Sequence, residues 1–332
     1  MSVSATSKAR YQVKEPRGLS PRITWLRDYY FTGAKRAWNN EFTAWTTGTP
    51  WDVVFDEMTF YIVPETYAFM QTFRSSMYQA ARTVSLPDEF WSMSLPERKA
   101  FFVKEVMVNY VPQEILPGDL IAGARFNLQT SKCWTKKEAK RRDKLIYGKD
   151  GARASMKWFH DHGYGNSGAT SGHIIPGYER ALKIGWKGIY EDISARYDSL
   201  SASDRKGPKG AQLRAMMTAA TMPRDLAAKY ADVCAGLAAQ EKDPVRKSEL
   251  AQMEQNLKRV PWEPARTFWE ALQALWMTHM LIMSDENYPG PGVSFGRIDQ
   301  YLLPYWEYSL KQGMEKEFGK EIMKCFWMHA NT

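Results

Sequence analysis

The chain has 332 residues, a formal charge of +8 and a pI near 9.2, with 44% hydrophobic and 14% aromatic residues. This composition provides a buried core and excludes a disordered protein, and the length fits one large domain or two ordinary ones. The positive charge favours an anionic partner, which could be nucleic acid, an acidic protein or a small carboxylate.

The cysteine pattern and the apolar runs indicate the compartment. Cys133, Cys234 and Cys325 lie far apart and form neither a CxxC motif nor an even-numbered framework. This argues against disulfides and a cysteine-ligated metal site, and it favours a reducing cytoplasm. The first residues lack an apolar signal region, and no run of about 18 apolar residues occurs, so neither secretion nor a membrane span is predicted.

The N-terminal third predicts an arm followed by mixed elements. Residues 1–20 are polar and basic and predict a flexible arm, and a first helix is predicted near 23–38. The alternation of apolar residues in 56–69 predicts a short strand that enters a turn. Ser94 is predicted to cap a helix, and a strand bounded by proline is predicted at 120–126.

Basic residues are densest between 131 and 150. Thr135 and Glu138 have the spacing of a capping box that begins a helix, and Gly148 is predicted to end it. The basic side chains are distributed all round this helix instead of forming one stripe, and no nucleic-acid-binding module is present. A solvated helix face is therefore the favoured interpretation, with an anionic partner as the alternative.

From residue 178 onward the sequence predicts mostly helix. Apolar residues at helical spacing give one buried face along 178–193 and another along 226–237. Asp243 and Pro244 are predicted to begin a further helix. The inward residues expected are Tyr178, Ala181, Leu182, Gly185, Ile189, Ile193, Leu226, Tyr230, Val233, Leu237, Leu250, Met253, Leu257 and Val260.

The last third couples an amphipathic helix within 259–280, a loop rich in glycine and proline at 284–297, and an aromatic helix at 298–310. An irregular path between two helices is a typical place for functional groups. The alternative is a structural connection in which Arg297 pairs with a nearby acid.

Three histidines raise the hypothesis of a metal site: His160, His162 and His173. An HxH pair shares one face on a strand, whereas residues 152–163 predict the end of a helix, so histidines at a helix terminus or in a loop are favoured. The glycine-rich stretch 163–172 lacks the Lys-Ser/Thr pair of a phosphate loop. With His173 it could line a ligand pocket, and a packed turn is the alternative.

Four ordered blocks resemble the glycyl radical enzymes, the pyruvate formate-lyase superfamily. They are ILPGDLIAG (115–123), GHIIPGYERALKIGWKGI (172–189), PARTFWEALQALW (264–276) and SFGRIDQYLLPYW (294–306). Further blocks, EFTAWTTGTPWD, MTFYIVPETYAF and KGAQLRAMMTAATMPRD, are most similar to the arylacetate decarboxylase branch, which acts on phenylacetate, indoleacetate or 4-hydroxyphenylacetate.

The resemblance implies an α/β fold. The chain would form the N-terminal, mostly helical part of a ten-stranded β/α barrel, truncated, with a flexible arm at 1–20 and an incomplete pyruvate formate-lyase-type domain at 21–332. The apolar segment 321–332 stops without a helix terminator, which also predicts a fragment of a longer protein.

The resemblance further implies radical chemistry in a dry site. A radical-SAM activating enzyme would generate a glycyl radical that passes to a cysteine as a thiyl. None of the three cysteines lies in the Gly-Cys-x-Glu setting of that thiyl, and no Arg-Val-x-Gly-Tyr-like loop occurs. The thiyl cysteine and the radical glycine are therefore expected outside this chain, which alone would bind no cofactor and catalyse nothing.

The same resemblance implies the partners and the substrate site. The full-length protein would be a cytoplasmic homodimer that takes a small carboxylate and binds neither nucleic acid nor membrane. Ser294 and His173 occupy positions that contact substrate in family members, and the Ser294 hydroxyl could donate to a carboxylate oxygen. Glu286 and Asn287 complete the expected substrate-binding set.

The favoured function is decarboxylation of an arylacetate to carbon dioxide and a methylarene. Other reactions of the superfamily stay open: addition of a hydrocarbon to fumarate, as in benzylsuccinate or alkylsuccinate synthase, dehydration, or C–N or C–S bond cleavage. A basic helical binding module is the alternative from another class, and steep salt dependence of nucleic-acid affinity would identify it.

Overall fold

The computed structural model describes residues 18–28, 84, 86–110, 113–123, 133–164, 174–285 and 293–330. Within these ranges the chain is predominantly helical and contains no strand, and one isolated parallel bridge joins Ile174 to Val293. The α-helices are α1 (Pro21–Asp28), α2 (Leu95–Glu105), α3 (Lys136–Tyr147), α4 (Ala152–Asp161), α5 (Tyr178–Asp198), α6 (Ala202–Lys206), α7 (Pro208–Gln240), α8 (Pro244–Arg259), α9 (Phe268–Asp285), α10 (Ile298–Lys311) and α11 (Lys316–Ala330). A 3-10 helix at Asp88–Ser92 precedes α2, and a π-helix at Val106–Tyr110 extends it.

Local signals fix several helix ends where the sequence predicts them. Ser94 and Thr135 each accept a hydrogen bond from the backbone N–H of the glutamate three residues on, and that glutamate accepts the cap residue's N–H in return. α3 ends at Gly148, and Asp243 caps α8 by accepting the N–H of Val245 at 3.0 Å. The first predicted helix is present as α1, while its continuation to 38 and the strand in 56–69 lie outside the described residues.

The helix predicted within 259–280 is present, but the prediction that it is amphipathic is wrong. Arg259 ends α8, and α9 begins at Phe268. Every residue of α9 from Phe268 to Ser284 is buried except the half-buried Ile282. A helix that is buried on all sides lies inside the core, and α9 packs against α5, α7, α8, α10 and α11.

The predicted strand at 120–126 is wrong for its described part, residues 120–123, which form an irregular segment with a bend at Ile121. Side chains of α9 satisfy its backbone in place of a neighbouring strand. Trp269 Nε1 donates to the Leu120 carbonyl at 2.7 Å, and Trp276 Nε1 donates to the Gly123 carbonyl at 2.9 Å. The Gln273 amide pairs with both backbone groups of Ala122 at 2.8 Å.

Gly185 kinks α5. Its φ is +68°, and a Cβ at this position would lie 2.1 Å from the Trp262 carbonyl oxygen. The break allows the loop after α8 to insert, because the N–H groups of Trp186 and Lys187 donate to Pro261 and Trp262 at 2.9 Å. Glycine is required here for both its conformation and its size.

The buried faces of α5 and α8 are confirmed, although Ile189 on α5 is only half-buried. The predicted face of α7 is correct at Leu226 and Tyr230 and wrong further on, where Leu237 is 37% exposed. Cys234 and Ala238 are the buried residues of these turns. Small side chains on this face of α7 allow α8 to pack closely against it, so the smaller residues are the buried ones.

The basic helix α3 contains no buried residue and packs against α4, which confirms the solvated interpretation of residues 131–150 for their described part. No helix of the described ranges combines the length and apolar character that crossing a membrane requires.

Candidate functional site

The loops that carry the predicted site residues meet at one backbone bridge. Ile174 and Val293 form a parallel bridge, and the N–H of Ser294 donates to the Ile174 carbonyl at 3.0 Å. Ile174 directly follows His173 in the chain, so the Gly-His block and the Ser-Phe-Gly-Arg block are neighbours. His173, Glu286 and Asn287 themselves lie outside the described residues, and their predicted roles stay predictions.

Ser294 is exposed, and its hydroxyl is held by its own loop. The Oγ accepts the N–H of Gly296 at 3.2 Å, which leaves the O–H free to donate. Gly296 has a φ of +63°, and a Cβ there would lie 2.8 Å from the Ile175 side chain, so glycine keeps the two loops in contact.

Arg297 forms an ion pair with Asp299 at 3.0 Å, as the structural interpretation of this loop predicts. The hydrogen bond between them lowers the pKa of Asp299 and raises that of Arg297. Both side chains are exposed, so the pair orients the start of α10 and adds little stability.

A buried tyrosine and histidine support the loop from behind. The Tyr178 hydroxyl lies 2.6 Å from His279 Nδ1, and the His279 ring lies 4.1 Å from the ring of Phe295, the neighbour of Ser294. Burial raises the pKa of Tyr178, so the phenol keeps its proton and can donate to the imidazole. Tyr301 donates to the Phe295 carbonyl at 2.9 Å and fixes the same residue from α10.

A second buried histidine lies on the far side of Trp276. His329 Nε2 is 2.8 Å from Asp119 Oδ2 and 3.0 Å from the Ile121 carbonyl. The Trp276 ring lies 5.2 Å from His329 and 5.8 Å from His279, so α9 connects the two imidazoles. Sequence reasoning assigned a role to neither histidine, because each depends on partners more than 100 residues away.

Two further histidines lie at the end of α4. His160 is in its last turn, and His162 follows it with Nδ1 2.7 Å from the Trp158 carbonyl, which confirms the prediction of helix-terminal histidines. The described part of the chain contains no group of three or more metal-ligating side chains, and a set that includes His173 lies outside that part.

None of the three cysteines forms a disulfide, and all three are buried. Burial raises the pKa of Cys234 to about 12 and also raises that of Cys325, so both remain thiols at neutral pH. A buried thiol with a raised pKa is a poor nucleophile, which argues against an activated thiolate at these two positions.

Comparisons with known proteins identify the family to which this chain is similar. The family described as pyruvate formate lyase-like matches residues 122–332. The isethionate sulfite-lyase of Desulfovibrio desulfuricans is 34% identical over 180 residues, which cover 53% of this chain and 20% of that protein. The indoleacetate decarboxylase of Tractidigestivibacter scatoligenes is 46% identical over 88 residues, 26% of this chain and 10% of that protein.

The fold is also similar to that of the structure reported for 1,2-propanediol dehydration in Roseburia inulinivorans. The TM-score is 0.58 at 22% identity, and the match covers 77% of this chain and 36% of that one. The chain therefore spans about a fifth of the curated sulfite-lyase and about a third of the solved structure.

Proposed function

The chain belongs to the pyruvate formate lyase-like family of glycyl radical enzymes, and from that premise we propose that it is part of a longer enzyme that decarboxylates an arylacetate. The proposed substrates are phenylacetate, indoleacetate and 4-hydroxyphenylacetate, and the products are carbon dioxide and the methylarene. The high identity to an indoleacetate decarboxylase over a short block supports this branch.

The bridge between Ile174 and Val293 is the observation that supports a substrate-binding role for the loop around Ser294. It holds the backbone next to His173 beside Ser294, whose hydroxyl hydrogen is free to donate. We assign Ser294 to a carboxylate oxygen of the substrate, with His173, Glu286 and Asn287 around it. Such donors act strongly on a carboxylate when water is excluded.

The glycyl radical of the family, and the thiyl formed from it, would supply the radical that starts the reaction. Cys234 and Cys325 are fully buried in the helical core. No cysteine of the chain has the Gly-Cys-x-Glu context of the thiyl residue. We therefore place both radical residues, and the barrel strands that would enclose them, outside this chain. The proposed partners are a radical-SAM activating enzyme and a second copy of the complete, cytoplasmic enzyme.

The deciding experiment uses the complete protein that carries this chain, activated without oxygen by its partner enzyme. Release of carbon dioxide and toluene, skatole or p-cresol is expected from one of the three arylacetates. Activity on isethionate or a diol with none of the arylacetates consumed would contradict the proposal.

Replacing Ser294 tests the binding assignment in that complete enzyme. Ser294→Ala should raise KM for the arylacetate about tenfold or more, because a hydrogen bond to a charged group contributes about 1.5–3 kcal/mol. Ser248→Ala is the matched control, since Ser248 is exposed on α8 and lies outside the loop. Equal kinetics for Ser294→Ala and wild type would remove Ser294 from the site.

A second candidate is cleavage of a C–S or C–O bond. It is supported by the broader match to a sulfite-lyase and by the structural similarity to the enzyme of propanediol dehydration. The same anaerobic assay decides between the two, because sulfite or an aldehyde would replace carbon dioxide among the products.

A further inference from the structure

A cavity of about 510 Å³ lies between α2, α5, α7 and α9. Val103, Ala215, Met222 and Leu281 give it apolar walls, and its volume is in the range of small-molecule sites, about 300–1,000 Å³. None of the residues described around Ser294 lines it. It is therefore distinct from the described surroundings of Ser294.

Polar groups also line this apolar space, Gln212 among them. Lys99 brings a positive charge from α2. The Thr278 hydroxyl accepts the indole N–H of Trp186 at 3.0 Å and keeps its own hydrogen to donate. Pro223 has no N–H, so the Ala219 carbonyl lacks its usual helical donor, and both residues line the cavity.

The charge of Lys99 is not balanced by the acids near it. Glu97 is paired with Arg214 at 2.7 Å, and Asp225 is paired with Lys104 at 2.6 Å. Among the described residues Lys99 makes no ion pair, whereas Glu97 has one and Asp225 has two. The cavity thus presents a single positive charge beside an apolar volume.

We propose that this cavity binds a small amphipathic monocarboxylate, with its alkyl or aryl body among α2, α7 and α9 and its carboxylate on Lys99. One ammonium matches one negative charge, while a phosphate group is usually bound by several donors. Thr278 donates to the second carboxylate oxygen. Binding at this cavity requires no radical and does not depend on the proposed decarboxylation.

Calorimetry on the purified chain tests the proposal with three probes that share one tail: octanoate, octanol and octylamine. Octanoate should bind tightest, and Lys99→Met should weaken it about tenfold, as expected for a charge-assisted hydrogen bond. Lys229→Met removes the same charge from the exposed surface of α7 and should leave octanoate affinity unchanged. No octanoate binding, equal affinity for octanol, or wild-type affinity in Lys99→Met would each overturn the proposal.

The location is tested by two further measurements. Ala219→Phe fills the cavity and should abolish octanoate binding in a protein that still unfolds cooperatively. In methyl-labelled wild type, octanoate should shift the Met222 signal, which belongs to the cavity, and leave the buried Met253 signal in place. A shift at Met253 alone, or retained binding in a folded Ala219→Phe protein, would place the ligand elsewhere and overturn the assignment.

Discussion

Single side chains in this protein make backbone hydrogen bonds that the sequence pattern assigns to a neighbouring strand. Gln273 is the clearest case, because its side-chain amide pairs with the N–H and C=O of Ala122 just as an adjacent strand would. Both residues are buried, so water cannot replace the amide. An unmade hydrogen bond in such a place costs more than a made one contributes.

Gln273→Met should therefore lower the free energy of unfolding by about 2–4 kcal/mol, because two buried backbone groups lose their partners while the volume is nearly kept. Urea denaturation followed by circular dichroism measures the change. Gln240→Met, at the exposed end of α7, is the control and should change stability by about 0.5 kcal/mol or less. Equal midpoints for both variants would contradict this account of residues 120–123.

Cys234 gives the protein a pH dependence on the alkaline side. Burial raises its pKa from 9.0 to about 12, so above pH 9 the unfolded chain loses this proton and the folded chain keeps it. The unfolded state then binds fewer protons, and stability falls as pH rises from about 9 towards 12.

Cys234→Val should remove the part of this alkaline loss of stability that comes from the thiol. Between about pH 8 and about pH 10, its free energy of unfolding should fall by about 1 kcal/mol less than that of wild type. Urea titrations at the two pH values give the difference, and identical slopes for both proteins would show that Cys234 is not the group responsible.

At the scale of elements, Gly185 decides the path of α5. Gly185→Ala should destabilise the protein by more than about 2 kcal/mol, because the new Cβ would collide with the Trp262 carbonyl at a positive φ. Gly236→Ala is the matched substitution within α7, where a Cβ meets nothing within 4 Å, and should stabilise by about 0.5–1 kcal/mol. Thermal unfolding of both variants checks the opposite signs.

The elements that the sequence predicts well are those that depend on neighbours in the chain. The caps at Ser94, Thr135 and Asp243 are set by residues two or three positions away. The kink at Gly185 depends on a loop 77 residues later, since its Cβ would meet Trp262, and the segment at 120–123 depends on side chains of α9. No local pattern contains those partners, so the prediction of a strand there was wrong.

The same reasoning applies to the candidate site. The block that contains Ser294 is recognisable in the sequence, and its contact with the backbone of Ile174 agrees with one shared site. The support from Tyr178 and His279 was missed, because a lone histidine in a buried helix gives no local signal of its tyrosine partner, 101 residues away in the chain.

At the scale of the whole molecule, one buried polar network joins distant parts of the chain. Glu249 on α8 forms ion pairs with Arg22 of α1 and with Arg246, and Arg246 donates to the Asp119 carbonyl at 2.8 Å. The Asp119 carboxylate in turn pairs with His329 of α11. The first described helix, the segment at 118–123 and the last helix are thereby held to α8.

Glu249→Gln should accordingly lower the free energy of unfolding of the whole helical structure. Removing the charge leaves two arginines without their shared carboxylate, and the expected loss is about 2–4 kcal/mol, somewhat reduced because Arg22 is partly exposed. Glu254→Gln on the same helix breaks only a surface pair with Lys258 and should cost about 0.5 kcal/mol or less. In Glu249→Gln we expect α1 to detach first, so that limited proteolysis cleaves near residue 28 at temperatures below the main unfolding transition. Cleavage at the same rate in both variants would show that the network does not hold α1 to the core.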